Sequence, residues 1–169
     1  MPRPLPGTFP PYFQNYINQV KEDNLQDALK NQRDDIEHFY SSIPEEKTNS
    51  GYAEGKWSLK ELLQHIIDTE RIFNYRALAF ARGEQASLPG FDENDYATNS
   101  NANERNWKDL CEELKVVRRS TEILFNSFSE KALQSSGLAN NNPTSVMAMG
   151  FISVGHFNHH KKVVEERYL

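Results

Sequence analysis

Residues 58–83, SLKELLQHIIDTERIFNYRALAFARG, decide how this chain folds. Ser58 and Glu61 make the S-x-x-E pattern in which each side chain satisfies a backbone N–H left open at the start of a helix, so a helix is predicted to begin at Ser58. Leu59, Leu62, Leu63, Ile66, Phe73, Ala77 and Phe80 share one helical face, the pattern of a half-buried helix. Gly83, just after Arg82, is a natural stop. Glu70 falls inside the apolar face, where a carboxylate must either pair with a cation or hold a proton. It is therefore a candidate general base, or one half of a buried ion pair with Arg76 or a lysine.

Similar patterns stand on both sides. Upstream, Leu25, Leu29, Gln32, Ile36, Phe39 and Ile43 predict an amphipathic helix from about Asn24 that ends before Pro44, with a short helix over Tyr12–Val20 ahead of it. Residues 1–11 hold five prolines and read as an extended arm. Downstream, Trp107, Leu110, Leu114, Val117, Thr121, Leu124 and Phe128 form the most regular seam in the chain. Pro143, with Asn142 or Thr144 as cap, is expected to open a last helix that runs to the C-terminus. No segment shows convincing strand alternation. The expected architecture is all-α, an antiparallel four-helix bundle forming one domain over residues 1–169.

The last helix carries GHFNHHKKV at 155–163. His156 and His160 lie one turn apart on the same face as Met149, Ile152 and Val163, where an imidazole needs a partner for its nitrogens. A metal ion is one such partner, since i, i+4 histidines are how a single helix offers two ligands. His159 points to the flank. His65 lies about 100° from the centre of its helix's apolar face, beside Thr69, Ile72 and Arg76, where it is placed to be a third ligand. Asp68 either supports His65, reaches the metal itself, or is an exposed helix carboxylate. Arg76 is suited to an anionic substrate or to a surface salt bridge.

Composition narrows the function classes. A formal net charge of −5 argues against a nucleic-acid footprint. The one basic cluster, Lys115, Arg118 and Arg119, is answered by Glu112 and Glu113 and reads as a solvated face. No stretch approaches the length of a membrane span, and MPRPLPGTFPPYF lacks the apolar core of a signal peptide, so a cytoplasmic protein is expected. Cys111 is the sole cysteine, which excludes an intrachain disulfide and reads as a small buried hydrophobe. The roughly 20-residue connection from Glu84 to Asn103, with Pro89-Gly90 and the acidic FDENDY, is long for a bundle. It reads as a lid or as a connection packed by Phe91 and Tyr96.

KWSLKELLQHIIDTER followed far downstream by GHFNHH resembles the DinB-like, or YfiT-like, four-helix metalloproteins. The resemblance rests on a tryptophan before the second helix, H-x-x-D on it and H-x-x-x-H on the last helix. It implies a divalent metal, zinc or nickel foremost, held by His65, His156 and His160, and a homodimer. The family includes bacillithiol S-transferases and is similar to mycothiol-dependent enzymes. The activity implied is therefore metal activation of a low-molecular-weight thiol or of water against a small electrophilic substrate, as transferase or hydrolase. The alternative is a non-catalytic metal-binding or partner-binding bundle, because one fold hosts several chemistries.

Overall fold

The computed structural model describes residues 1–169, and its framework is four helices: α1 (Leu25–Asn31), α2 (Leu59–Ala81), α3 (Trp107–Asn126) and α4 (Val146–Arg167). Each starts at a side-chain cap. Asn24, Asn106 and Ser145 accept from Gln26, Lys108 and Ala148 N–H, while Ser58 and Glu61 complete the reciprocal box predicted for α2. Gly83 ends α2 with a φ of 86°, a conformation open to glycine without penalty.

The bundle expected from the sequence is the observed class, but its helices do not alternate in direction. Phe80 lies at Gly137, His65 at His156, and Tyr168 donates to the Trp57 carbonyl, so α2 and α4 are antiparallel. In contrast, Gln64 meets Arg105, Glu70 meets Arg118 and Asn74 meets Thr121, so α2 and α3 run parallel. Two consecutive helices can do so only if the chain returns along their length. The long connection is that return, and it carries a short helix at Glu93–Asn99 that packs on α2.

Three local expectations are corrected. The first helix is regular only to Asn31; a wider π turn follows at Asp35–Phe39 and a 3-10 turn at Tyr40–Ser42. Buried positions there step by four, Gln32, Ile36, Tyr40, as an underwound helix requires, and Tyr40 rather than Phe39 faces the core. Pro143 does not open α4. It lies in β2 (Asn142–Ser145), paired antiparallel with β1 (Ser136–Ala139), and Ser145 is the cap. Asn140 and Asn141 join the strands with φ of 50° and 60°, the conformation a tight two-residue hairpin needs and asparagine tolerates. Finally, Arg118 is not on a solvated face: it is 2% exposed.

The core has two apolar halves with a polar layer between them. Leu25, Phe73, Phe125 and Ile152 belong to one half and Ile36, Leu63, Leu110 and Phe157 to the other. Between them each helix contributes polar groups: Gln32 at the end of α1, Glu70 on α2, Arg118 and Thr121 on α3, His156 on α4. Glu70 takes both oxygens to Arg118, at 2.8 and 2.9 Å, and accepts from the Thr121 hydroxyl at 2.5 Å. Gln32 accepts from Arg118 and donates to the Val154 carbonyl.

Glycine brings the N-terminal segment onto this layer. A Cβ at Gly155 would lie 2.0 Å from the Tyr16 carbonyl oxygen, a backbone atom that cannot swing aside. Gly155→Ala should therefore lower the melting temperature: the overlap costs about 1–3 kcal/mol, against roughly 1 kcal/mol gained in helix propensity. A rise in melting temperature would show that Tyr16 is not seated there.

Candidate metal centre

The mixed surroundings of the middle of α4 follow from its position. From Val146 to Phe157 nearly every residue is buried, so this segment is wrapped on all sides, and His156 is enclosed with it. His160 follows one turn later, where the helix begins to emerge. His65 comes from the antiparallel α2. Its Nε2 is 3.1 Å from His156 Nε2, and His160 Nε2 is also 3.1 Å from His156 Nε2.

Hydrogen bonding cannot satisfy this trio. A ring nitrogen carries either one proton or one in-plane lone pair, so His156 Nε2 can serve one neighbour properly and not both. A cation meets all three lone pairs at once. Tetrahedral coordination at 2.0–2.1 Å places ligand nitrogens roughly 3.3 Å apart, within a few tenths of the observed spacing. The donor atoms lying within 4.8 Å of one another belong to these three imidazoles alone, so no carboxylate completes the set.

Electrostatics favours the neutral, ligating form. Burial pulls His65 down to about 4. Burial also holds His156 and His160 well below the ordinary histidine value, with the neighbouring imidazoles adding to the effect. Around the cluster, the Trp57 ring is 4.9 Å from His65, Tyr16 is 5.4 Å and Phe73 6.1 Å from His156. A cleft of about 280 Å³, lined by Tyr52, Lys56, Trp57, Asn94 and Tyr168, reaches His160. Entry to the cluster is thus from the α4 C-terminal side.

These depressed values carry a sign. Between pH 6.5 and about 4 the unfolded histidines bind protons that the folded ones refuse, so stability of the metal-free protein falls as pH falls through that window. The expected loss is up to about 1.4 kcal/mol per pH unit for each histidine. Glu113 and Glu122, whose carboxyls are held below their ordinary value by arginines despite burial, contribute only below pH 4.5. Denaturant midpoints from pH 7 to 5 follow chiefly the histidines, against an opposite contribution from Asp68, whose carboxyl is raised by burial. A flat profile there would mean that the rings are hydrated.

The other sequence candidates are placed elsewhere. Asp68 accepts from Gln64 at 2.8 Å and lies 3.9 Å from Arg71. Glu70 is engaged by Arg118 and Thr121, so its partner is neither Arg76 nor a lysine. Arg76 forms no salt bridge; it is buried and donates to the Pro89 carbonyl at 2.7 Å. His159 is half-buried beside Tyr16 and Gln19. Cys111 is buried, and its thiol is pushed up to about 11 by burial, as a packed residue requires. Tyr16 was not singled out from the sequence, and only its place in an aromatic run, Tyr12, Phe13, Tyr16, could have signalled it. Arg118 had a clearer signal: it falls midway between Cys111 and Phe125 at seven-residue steps, on the edge of the α3 seam.

A helical bundle with three imidazoles, two buried and one half-buried, converging from two antiparallel helices defines a class of candidate metal-binding helical proteins. Its family follows from the sequence: the chain belongs to the DinB superfamily, whose model matches residues 28–164. Among solved structures it is similar to YfiT from Bacillus subtilis, described as a probable metal-dependent hydrolase with an unusual four-helix bundle topology. The two share 13% identity with a TM-score of 0.68, over 97% of this chain and 90% of that one, a likeness of fold. A comparison with curated proteins finds no match. No helix is long and apolar enough to cross a membrane.

Proposed function

We propose that this chain binds one divalent metal ion, zinc or nickel foremost, through His65, His156 and His160, and uses it to activate water or a low-molecular-weight thiol for attack on a small electrophilic substrate. The observation that carries the reading is the convergence of three neutral imidazoles with no carboxylate among them, beside a cleft. Three protein ligands with a position left open is the layout of catalytic rather than structural sites. When bound, such an ion supplies Lewis acidity that brings water or a thiol to its nucleophilic form near neutral pH.

The chain's own residues do the rest. Trp57, Tyr16 and Phe73 shield the imidazoles and keep them unprotonated. The cleft admits a small molecule at His160, where Lys56 and Asn94 offer polar contacts. Glu70 does not serve as the base, because its oxygens are already engaged. Asp68 is held by Gln64, which also meets Arg105.

The test is metal content, by mass spectrometry, of protein purified without an affinity tag. About one equivalent in the parent, lost in a His156→Ala/His160→Ala double variant, is expected. No binding even after reconstitution with zinc or nickel would sink the proposal. Cobalt-loaded protein then separates the chemistries: new charge-transfer absorption on adding a thiol supports S-transfer, and none with several thiols supports hydrolysis. The resemblance also implies a homodimer, which sedimentation equilibrium tests.

A further inference from the structure

Two arginines are buried in this protein, Arg76 and Arg118. Arg118 has its counter-charge in Glu70. Arg76, 6% exposed, has none: one of its five N–H groups donates to the Pro89 carbonyl, and it makes no ion pair and no other hydrogen bond to protein. Its other side-chain N–H groups are not among the buried atoms left without a partner, so they reach solvent, and the fork has no counter-charge of its own. The planar fork is suited to a bidentate anion.

Its position ties it to the metal centre. Arg76 is eleven residues after His65 on α2, a 20° offset at 100° per residue, so the two share a flank with Thr69 and Ile72. They are about 16 Å apart along the axis. Two rows of residues run alongside. On one side Tyr12 is close enough to Arg76 to be influenced by its charge, Phe13 packs on Phe73, and Tyr16 packs on His156. On the other, Tyr96 is within the same electrostatic reach of Arg76, while Asn94 lines the cleft at His160. Tyr12 and Tyr96 are 57% and 48% exposed.

We infer that Arg76 is a substrate-anion site, and that the substrate class is a small molecule carrying a carboxylate at the end remote from its reacting atom. The inference rests on the metal-dependent reading for what happens at the other end. Arg76 holds the carboxylate through the N–H groups that no protein acceptor takes, and the reacting end of the substrate lies toward the metal centre. Burial lowers the guanidinium from its ordinary value, and a bound carboxylate would restore it.

The experiment is calorimetric titration of the full chain, metal-free and zinc-loaded, with 8-mercaptooctanoate and with 8-mercaptooctanol, which differ only in the anionic end. The parent is expected to bind the carboxylate about tenfold tighter in both forms, the size of one charge-assisted pair. Arg76→Gln should remove the preference, and Arg76→Lys should retain part of it. Equal binding, or no binding, of the two probes by the parent overturns the inference without any variant, so a folding defect in Arg76→Gln cannot rescue it. A preference that survives in folded Arg76→Gln overturns it too. If zinc does not bind but the metal-free preference is present, the metal-dependent reading falls and the anion site stands; zinc binding without a preference gives the reverse.

Discussion

Arg118→Ala should cost the protein about 3–5 kcal/mol of stability, the range for removing one partner of a buried ion pair. Glu70 would be left 3% exposed with the Thr121 hydroxyl as its main remaining partner. Gln32 would lose its donor, and the Phe157 ring the guanidinium 5.4 Å from its centroid. For a chain of this length the loss corresponds to a fall in melting temperature of roughly 6–20 °C. Glu70→Met/Arg118→Met supplies the control. Two apolar side chains of similar size need no desolvation of charge, so the double variant should recover most of the stability. A double variant as unstable as the single would show that the pair, rather than the stranded carboxylate, is what matters.

The second large effect is on the metal. Removing any one of the three imidazoles should weaken zinc affinity by more than the ten- to hundredfold typical of losing a residue that merely supports a ligand. Asp68→Asn should fall within that smaller range or below it, because Asp68 bonds to Gln64 and stands outside the cluster. Competition titrations with a chromophoric chelator on His65→Ala, His156→Ala, His160→Ala and Asp68→Asn rank the four. If Asp68→Asn matched the histidine variants, the carboxylate would be a ligand and the coordination sphere closed.

How much of this was legible in the sequence depended on how local the governing interaction was. The start of α2 was legible because its cap is made by residues three apart, and the end because Gly83 accepts a positive φ. His65, His156 and His160 were legible as a group because spacing placed two on one helix, His65 lay on the flank of another, and the resemblance joined the three. The hairpin was hidden: its strands, SGLA and NPTS, have no alternation, and its signal was the Asn140-Asn141 turn. Arg118 was misplaced because its neighbour Arg119 is exposed and only a long-range partner, Glu70, explains its burial. The parallel course of α2 and α3 has no periodic signature. Only the length of the connection hinted at it.

That course also bears on how the chain finds its fold. In an up-and-down bundle, sequential helices zip from a short turn, and local pairing gives rapid folding. Here the return of the chain separates partners even between consecutive helices. Gln64 meets Arg105 across 41 residues, Glu70 meets Arg118 across 48, His65 meets His156 across 91, and Gln32 meets Asn158 across 126. Loop closure must precede nearly all of these contacts. Refolding should therefore be slow for an all-helical protein of this size, with its rate set by closure of long loops rather than by helix formation.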